Sequence, residues 1–241
     1  MKKYFSALPK IAALTLLTMA ALPAMAQQAG DNVVGLGWFH LAPQDSSQNL
    51  VVGGQTIPNS GAGVGNADTV GLQFSHFFTD NWVLSGDAGI PPKFKLDGQG
   101  SLQGTHIGSA KQWSPAVLVK YYFGDKTSQF RPFVGAGVTY VWYSDIQLDN
   151  GFQQQLSGLI SRGQTTAFKT SADLSSSVAP VISAGASYNF DAHWSVGFSV
   201  SYIPLKTKAD LTTSTPFGDV HSTTKLTLDP IVSFLSVGYK F

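Results

Sequence analysis

The sequence contains no cysteine and few charged side chains. Because none of its 241 residues is cysteine, disulfide bonds cannot stabilise the fold as they do in many exported domains. Asp, Glu, Lys and Arg make up 12% of the chain, about half the usual share of a soluble domain, which indicates a strongly apolar setting. The 15 basic and 14 acidic residues are nearly balanced, and this argues against a nucleic-acid partner.

Long apolar runs are also missing, except at the N-terminus. There, three lysines precede the apolar stretch Ile11–Leu22, and the small residues of Ala24-Met25-Ala26 follow it. This order predicts a signal peptide over residues 1–26, because the apolar stretch is shorter than the roughly 20 residues of a spanning helix. Its removal takes three of the 15 basic residues, so 12 remain against 14 acids in a single domain, 27–241.

Apolar side chains recur at every second position in the rest of the chain. Between Trp194 and Tyr202 they alternate with serine and glycine, and the segments 69–75, 113–123 and 178–190 show the same pattern. A period of two predicts β-strands with one apolar face. Two all-β folds have this pattern in an exported chain: a secreted sandwich with the apolar face inside, and a membrane barrel with the apolar face outside.

The second face of these strands favours the barrel. It consists mainly of Ser, Gly, Thr and Asn, which suits a crowded lumen better than open solvent. Aromatic residues gather where strands approach turns, as expected for the girdles of a barrel at the two membrane surfaces. The final segment alternates in the same way and ends at the aromatic Phe241, which we interpret as a signal for assembly into an outer membrane.

The spacing predicts an eight-stranded antiparallel transmembrane β-barrel with short periplasmic turns and long extracellular loops. The predicted strands are about 33–43, 68–78, 82–96, 112–123, 131–145, 177–190, 194–210 and 220–241. Turn-forming residues occupy the short connections 79–81, 124–130 and 191–193, and the longer loops are 44–67, 97–111, 146–176 and 211–219. Leu156, Leu159 and Ile160 fit one face of a short helix that could cap the barrel mouth.

Several motifs along the mature chain resemble those of the OmpW family, including its hydrophobic-compound uptake branch. They are Thr79-Asp80-Asn81-Trp82, Tyr121-Tyr122-Phe123-Gly124-Asp125, Phe130-Arg131-Pro132-Phe133-Val134-Gly135-Ala136-Gly137, Tyr202-Ile203-Pro204-Leu205-Lys206-Thr207 and Leu228-Asp229-Pro230. The resemblance implies a monomeric barrel in the bacterial outer membrane, with a narrow apolar channel for passive entry of small hydrophobic molecules. It also implies sideways release into the membrane through an opening in the wall.

The candidate channel residues form an apolar and a polar group. Inward positions near the outer end carry an apolar set, which we expect to line the entrance: Phe39, Leu41, Ile203 and Leu205. Lower positions carry Asp87 and Ser201, with Lys120 or Arg131 as the expected partner of Asp87, so a polar plug is predicted below the entrance. Prolines remove ladder donors, and the expected places for a lateral opening are Pro91, Pro92, Pro204 and Pro230.

Other chemistries have little support in the sequence. The glycine-rich segment 61–65 lacks the lysine and the following helix of a phosphate-binding loop, and the five histidines have no metal-ligand spacing. We therefore expect no cofactor, no metal and no enzymatic activity. The expected partners are outer-membrane lipid, lipopolysaccharide, the barrel-assembly machinery and small hydrophobic solutes. Two alternative functions stay open: surface binding through loops 44–67 and 146–176, and a narrow ion pore.

Overall fold

The computed structural model describes residues 27–161 and 168–241. The predicted signal peptide, residues 1–26, lies outside the described residues, as do residues 162–167 of the longest predicted loop. Within the described ranges, no helix combines the length and the apolar character needed to cross a membrane.

The strands follow one another as β1 (Asn32–Ala42), β2 (Ser46–Ser47), β3 (Val51–Val52), β4 (Gln55–Thr56), β5 (Ser60–Val64), β6 (Ala67–Phe77), β7 (Trp82–Gly89), β8 (Lys93–Gly100), β9 (His106–Trp113), β10 (Ala116–Tyr122), β11 (Phe130–Leu148), β12 (Thr170–Leu174), β13 (Ser177–Asn189), β14 (Trp194–Tyr202), β15 (Lys206–Thr215), β16 (Gly218–Thr227) and β17 (Ile231–Lys240). The helix α1 (Asn150–Ile160) lies between β11 and β12.

Eight of these strands form a closed antiparallel barrel, which confirms the predicted fold. Around the wall they follow the order β1, β6, β7, β10, β11, β13, β14 and β17, and β17 pairs with β1 to complete the circle. Short turns at 78–81, 123–129 and 190–193 join neighbouring strands at one rim. The longer connections all lie at the opposite, extracellular rim.

The apolar face of each barrel strand points outwards. Along β1, for example, Leu36 and Trp38 are 56% and 48% exposed, whereas their inward neighbour Leu41 is buried. Aromatic pairs mark both rims, with Trp194 against Tyr239 near the short turns and Trp113 stacked on Trp142 near the long connections. An exposed apolar surface of this kind is suited to lipid and excludes the soluble sandwich.

The long extracellular connections carry regular structure of their own, namely further strands and one helix. Pairing continues above the barrel in a sheet of β5, β8, β9 and the upper part of β11, and in a second sheet of β12, β15, β16, β3 and β4. The 19-residue strand β11 runs through both levels, well beyond the roughly 9–11 residues that cross a bilayer. The predicted strands 194–210 and 220–241 are each divided in two, at 203–205 and at 228–230.

The extension above the barrel has its own hydrophobic core, and α1 packs on it. Asp149 caps the helix, since its carboxylate accepts a hydrogen bond from the Gly151 amide at 2.8 Å. Leu156 is buried in this core beside Phe152, and Ile160 packs against it. Leu159, which was predicted to share the face of Leu156 and Ile160, is 46% exposed. The helix exists as predicted, but its buried face includes Phe152 in the first turn and excludes Leu159.

The lumen is filled by large side chains that lie against glycine. A Cβ atom at Gly71 would lie 2.4 Å from the ring of Phe39, and one at Gly135 would lie 2.8 Å from the side chain of Lys120. Eight strands enclose a space just wide enough for side chains, so each large group requires a small residue on a neighbouring strand. The glycines of the polar face therefore determine which side chains the lumen can hold.

We expect Gly71→Ala to destabilise the folded barrel by about 1–3 kcal/mol, because its new methyl group would overlap the Phe39 ring and the carbonyl of Ala88. Urea unfolding in lipid vesicles, followed by tryptophan fluorescence, measures the effect. Gly86→Ala is the matched control, since a Cβ at Gly86 has no heavy atom within 4 Å. Equal stability of the two variants would contradict this account of the lumen.

Candidate functional site

A cavity of about 320 Å³ occupies the outer end of the lumen. The four apolar residues predicted for the entrance all line it, namely Phe39, Leu41, Ile203 and Leu205. Phe39 and Leu41 lie on β1, and Ile203 and Leu205 lie in the link between β14 and β15. Val141 and Val232 complete an apolar wall of a size that suits a small organic molecule.

The cavity reaches the outside of the wall between β7–β8 and β9–β10. Ile90 and Trp113 belong to its lining, although their side chains are 67% and 38% exposed on the lipid-facing surface. Inward and outward side chains therefore both border the cavity at this point. This point lies at the level of the outer aromatic girdle, where Trp113 stacks on Trp142.

The backbone ladder is interrupted at the same place. Strands β7 and β10 pair only as far as Asp87 and Ala116, and β8 and β9 resume pairing at Lys93 and Lys111. Between these points, one cross-strand bond links the two segments in the described part of the chain, from the Gln112 amide to the Pro92 carbonyl. The predicted residues Pro91 and Pro92 thus lie at the edge of the gap.

Pro115 lies on the other edge of the gap and was missed from the sequence. It separates β9 from β10, and its carbonyl accepts hydrogen bonds from the Tyr140 amide and the Thr139 hydroxyl, both on β11. Because proline has no backbone amide hydrogen, prolines on both edges reduce the number of donors that could pair the two segments. The place of Pro115 in the same break of the ladder as Pro91 and Pro92 depends on strand register, which a single proline in a predicted strand does not reveal.

The other two prolines do not open the wall, which corrects the prediction for Pro204 and Pro230. The Ile203 amide donates to the Pro230 carbonyl at 3.2 Å, and the Leu228 amide donates to the Leu205 carbonyl at 2.8 Å. The carboxylate of Asp229 accepts the remaining amide, that of Leu205, at 3.0 Å. Pairing therefore continues through the bend, where Pro230 lines the cavity without exposing it to lipid.

Two side-chain pairs form the floor of the cavity. The rings of Phe39 and Phe234 stack with centroids 3.9 Å apart, and the Gln73 amide donates to the Asp87 carboxylate at 2.8 Å. Phe39 and Asp87 line the cavity above, whereas Phe234 and Gln73 line a separate cavity of about 40 Å³ below. Beside them, the hydroxyl of Ser201 donates to that of Ser183 at 3.0 Å.

The structure gives Asp87 a different partner from the one predicted. Within the described residues, no ion pair within 4.0 Å joins Asp87 to Lys120 or Arg131, and its hydrogen-bond partner is the neutral Gln73. Lys120 is buried in the lumen with its Nζ atom 5.2 Å from the centroid of the Phe133 ring. Strand register separates the groups, because Lys120 lies opposite Val83 rather than Asp87.

Arg131 closes the periplasmic end instead. Its guanidinium is buried and donates to the backbone carbonyl of Gln27 at 2.8 Å and to that of Asp80. The side chain of Gln27 in turn donates to Asn189 at 2.6 Å. These bonds tie the start of the described chain to the first short turn and fill the lower rim with polar groups.

Above the main cavity, two smaller apolar cavities continue into the extension. One of about 70 Å³ lies between the two upper sheets beneath Phe152, and one of about 20 Å³ lies below it. These two share Leu96, Ala110 and Leu226 in their linings, and the lower one shares Gln112 with the main cavity. The three upper cavities thus follow one another from α1 to the break in the ladder. The cavity of about 40 Å³ below the floor is more polar and shares no lining residue with the main cavity.

Comparisons with known proteins agree with this architecture. The OmpW family model matches residues 28–241. Outer membrane protein W of Salmonella typhi is 31% identical over 96% of this chain and 98% of its own length. The Dibenzothiophene metabolism operon protein PahQ of Pseudomonas aeruginosa is 26% identical over 82% of each chain.

A solved structure shares the fold over nearly its full length. The crystal structure of the outer membrane protein OprG from Pseudomonas aeruginosa superposes with a TM-score of 0.80 at 27% identity, covering 90% of this chain and 99% of that one. Outer membrane protein W and OprG are outer-membrane proteins of a barrel family and not enzymes, and the location of this chain is the outer membrane. The chain belongs to the OmpW family.

Proposed function

We propose that this barrel takes up small hydrophobic molecules passively and releases them sideways into the membrane through the gap beside Pro91, Pro92 and Pro115. The observation that carries this proposal is the lining of the main cavity, which joins the inward Phe39 and Leu41 to the outward Ile90 and Trp113. A solute bound in this cavity contacts mainly apolar groups and has lipid on its far side.

The energetics favour a lateral exit over straight passage. An apolar solute that moved downwards would have to separate the stacked rings of Phe39 and Phe234 and then enter a lumen that holds Asp87 and the buried Lys120. Removing water from such charged and polar groups without replacing their hydrogen bonds costs several kcal/mol. The lateral route exchanges an apolar cavity for an apolar membrane, so this cost does not arise.

The relative PahQ supports an apolar solute. Its name connects it with the metabolism of dibenzothiophene, a flat aromatic compound with little polarity. The main cavity of this chain, about 320 Å³ with a largely apolar lining, is at the lower end of the size range of small-molecule sites. The name of this relative and the size of the cavity both favour compact hydrophobic compounds as solutes.

Export and assembly belong to the same proposal. Residues 1–26 would direct the chain out of the cytoplasm and be removed, leaving domain 27–241 to fold as a monomer in the outer membrane. Phe241 follows β17, donates its backbone amide to Asn32 on β1 at 3.0 Å, and keeps its ring 65% exposed. An accessible aromatic ring at the closing seam supports its proposed role in recognition by the barrel-assembly machinery.

Filling the main cavity should stop uptake. In Ala116→Phe the new ring would occupy the cavity beside the gap, and we expect entry of naphthalene into cells to fall about tenfold, the factor that corresponds to about 1.4 kcal/mol of lost solute binding. Ala136→Phe is the matched control, because Ala136 lies on the exposed outer face of the same barrel. Undiminished entry in a folded Ala116→Phe barrel would overturn the proposed route.

Opening the floor should separate ion flow from solute flow. Phe234→Ala removes one ring of the stacked pair, so we expect larger ion conductance in planar bilayers with unchanged naphthalene uptake. The control is Phe198→Ala, which removes a ring from the lipid-facing surface. If naphthalene uptake rose together with conductance in Phe234→Ala, the result would support straight passage and contradict the lateral exit. Large discrete conductance steps in the unaltered barrel would favour an ion pore.

A further inference from the structure

Six lysines lie on the outer face of the extension, just above the outer aromatic girdle. They form two groups of three, which we term the first triad (Lys93, Lys95 and Lys111) and the second triad (Lys206, Lys208 and Lys225). Five of the six are exposed, and Lys111 is partly exposed. They account for half of the 12 basic residues in the predicted mature chain.

The first triad places two like charges directly opposite each other. Lys93 and Lys111 are register partners on β8 and β9, and Lys95 lies two residues along the same face of β8. Lys111 bonds to Asp145 with 2.7 Å between Nζ and Oδ2. In the described part of the chain, neither Lys93 nor Lys95 has a carboxylate within 4.0 Å of its Nζ atom.

The second triad repeats this arrangement on another hairpin. Lys208 and Lys225 are register partners on β15 and β16, and Lys206 lies two residues from Lys208 on the same face. Lys208 bonds to Asp210 at 2.8 Å. Among the residues that the structure describes, Lys206 and Lys225 have no such partner. Each triad therefore contains one lysine held by an aspartate and two unpaired cations.

Each arrangement leaves positive charge that the protein does not neutralise. Like charges directly opposite each other on neighbouring strands destabilise a sheet. The Lys111 ammonium, helped by Lys93, holds the pKa of Asp145 below its usual range, so this carboxylate stays ionised but balances only one charge. The nearby Asp97 bonds to His106 at 2.8 Å instead. Anions from outside the protein would remove the remaining repulsion.

The height of the triads indicates where those anions come from. Lys111 lies two residues above Trp113 in the outer girdle, and Lys206 lies four residues above Tyr202, the last exposed aromatic residue of β14. Aromatic girdles mark the boundary between hydrocarbon and headgroups. The lysines lie one to three residue pairs above this boundary, at the level of the headgroups, whose phosphates ammonium groups bind as point charges.

We propose that each triad binds a phosphate of a phosphorylated lipid headgroup in the outer leaflet. The ligand class is the phosphorylated glycolipid of this leaflet, whose phosphates lie beside the hydrocarbon boundary. The proposal does not depend on transport. The first triad is also close to the gap, since Lys93 directly follows Pro92, so a lipid bound there lies next to the lateral opening.

Binding of lipid A to the full mature barrel in detergent, with EDTA present to remove divalent cations, tests the proposal. We expect Lys93→Gln combined with Lys95→Gln to weaken binding about tenfold, and Lys206→Gln combined with Lys225→Gln to do the same, because each pair removes the unpaired cations of one triad. The control combines Lys126→Gln with Lys169→Gln, which removes equal charge from exposed positions outside both triads. Equal weakening in the control would mean a net-charge effect and would overturn the proposal.

Two further arms use the unaltered barrel and need no variant to fold. Lipid A from which both phosphates have been removed keeps its acyl chains, and we expect it to bind about tenfold more weakly, with less dependence on salt concentration. Inorganic phosphate at the same concentration should not compete with lipid A. Equal binding of the dephosphorylated lipid would exclude phosphate recognition, and effective competition by inorganic phosphate would identify a general anion site instead of a lipid site.

Discussion

The closed backbone ladder is the constraint on which the rest of the structure depends. In lipid, an unpaired amide or carbonyl has no water to bond, so a spanning sheet must pair every strand with two neighbours. Eight strands meet this requirement here, with β17 returning to β1. The same closure fixes a narrow lumen, which explains why Gly71 and Gly135 lie against Phe39 and Lys120.

A break in such a ladder is costly unless another group bonds to the amides that it leaves free. The chain contains one break that is compensated in this way and one that is not. At Pro204 and Pro230 the carboxylate of Asp229 accepts the free amide of Leu205, and the wall stays closed. At Pro91, Pro92 and Pro115 the two edges face each other with prolines that have no amide to donate. The second break lies beside the largely apolar cavity, and this is where we propose that a small hydrophobic molecule passes between protein and lipid.

The sequence predicted the barrel because period-two alternation depends on a local property, the direction of successive side chains. Phe39, Leu41, Ile203 and Leu205 share an inward parity and line one cavity, and their role as an entrance stays a prediction. The partner of Asp87 was not predictable, because pairing across the lumen depends on the register between β6, β7 and β10. Register also decides that Pro115 lies in the same break of the ladder as Pro91 and Pro92, and that the long connections contribute further paired strands.

The most direct test of lateral release is the order in which a solute reaches two compartments. An apolar fluorescent tracer is added outside vesicles that contain the barrel, with one quencher attached to lipid chains and, in parallel vesicles, a second quencher dissolved in the enclosed water. The account predicts that quenching by the lipid-attached group comes first and is accelerated by the barrel, while quenching in the enclosed water follows only at the rate set by the bilayer. Earlier or equally accelerated quenching in the enclosed water would show straight passage and contradict the account.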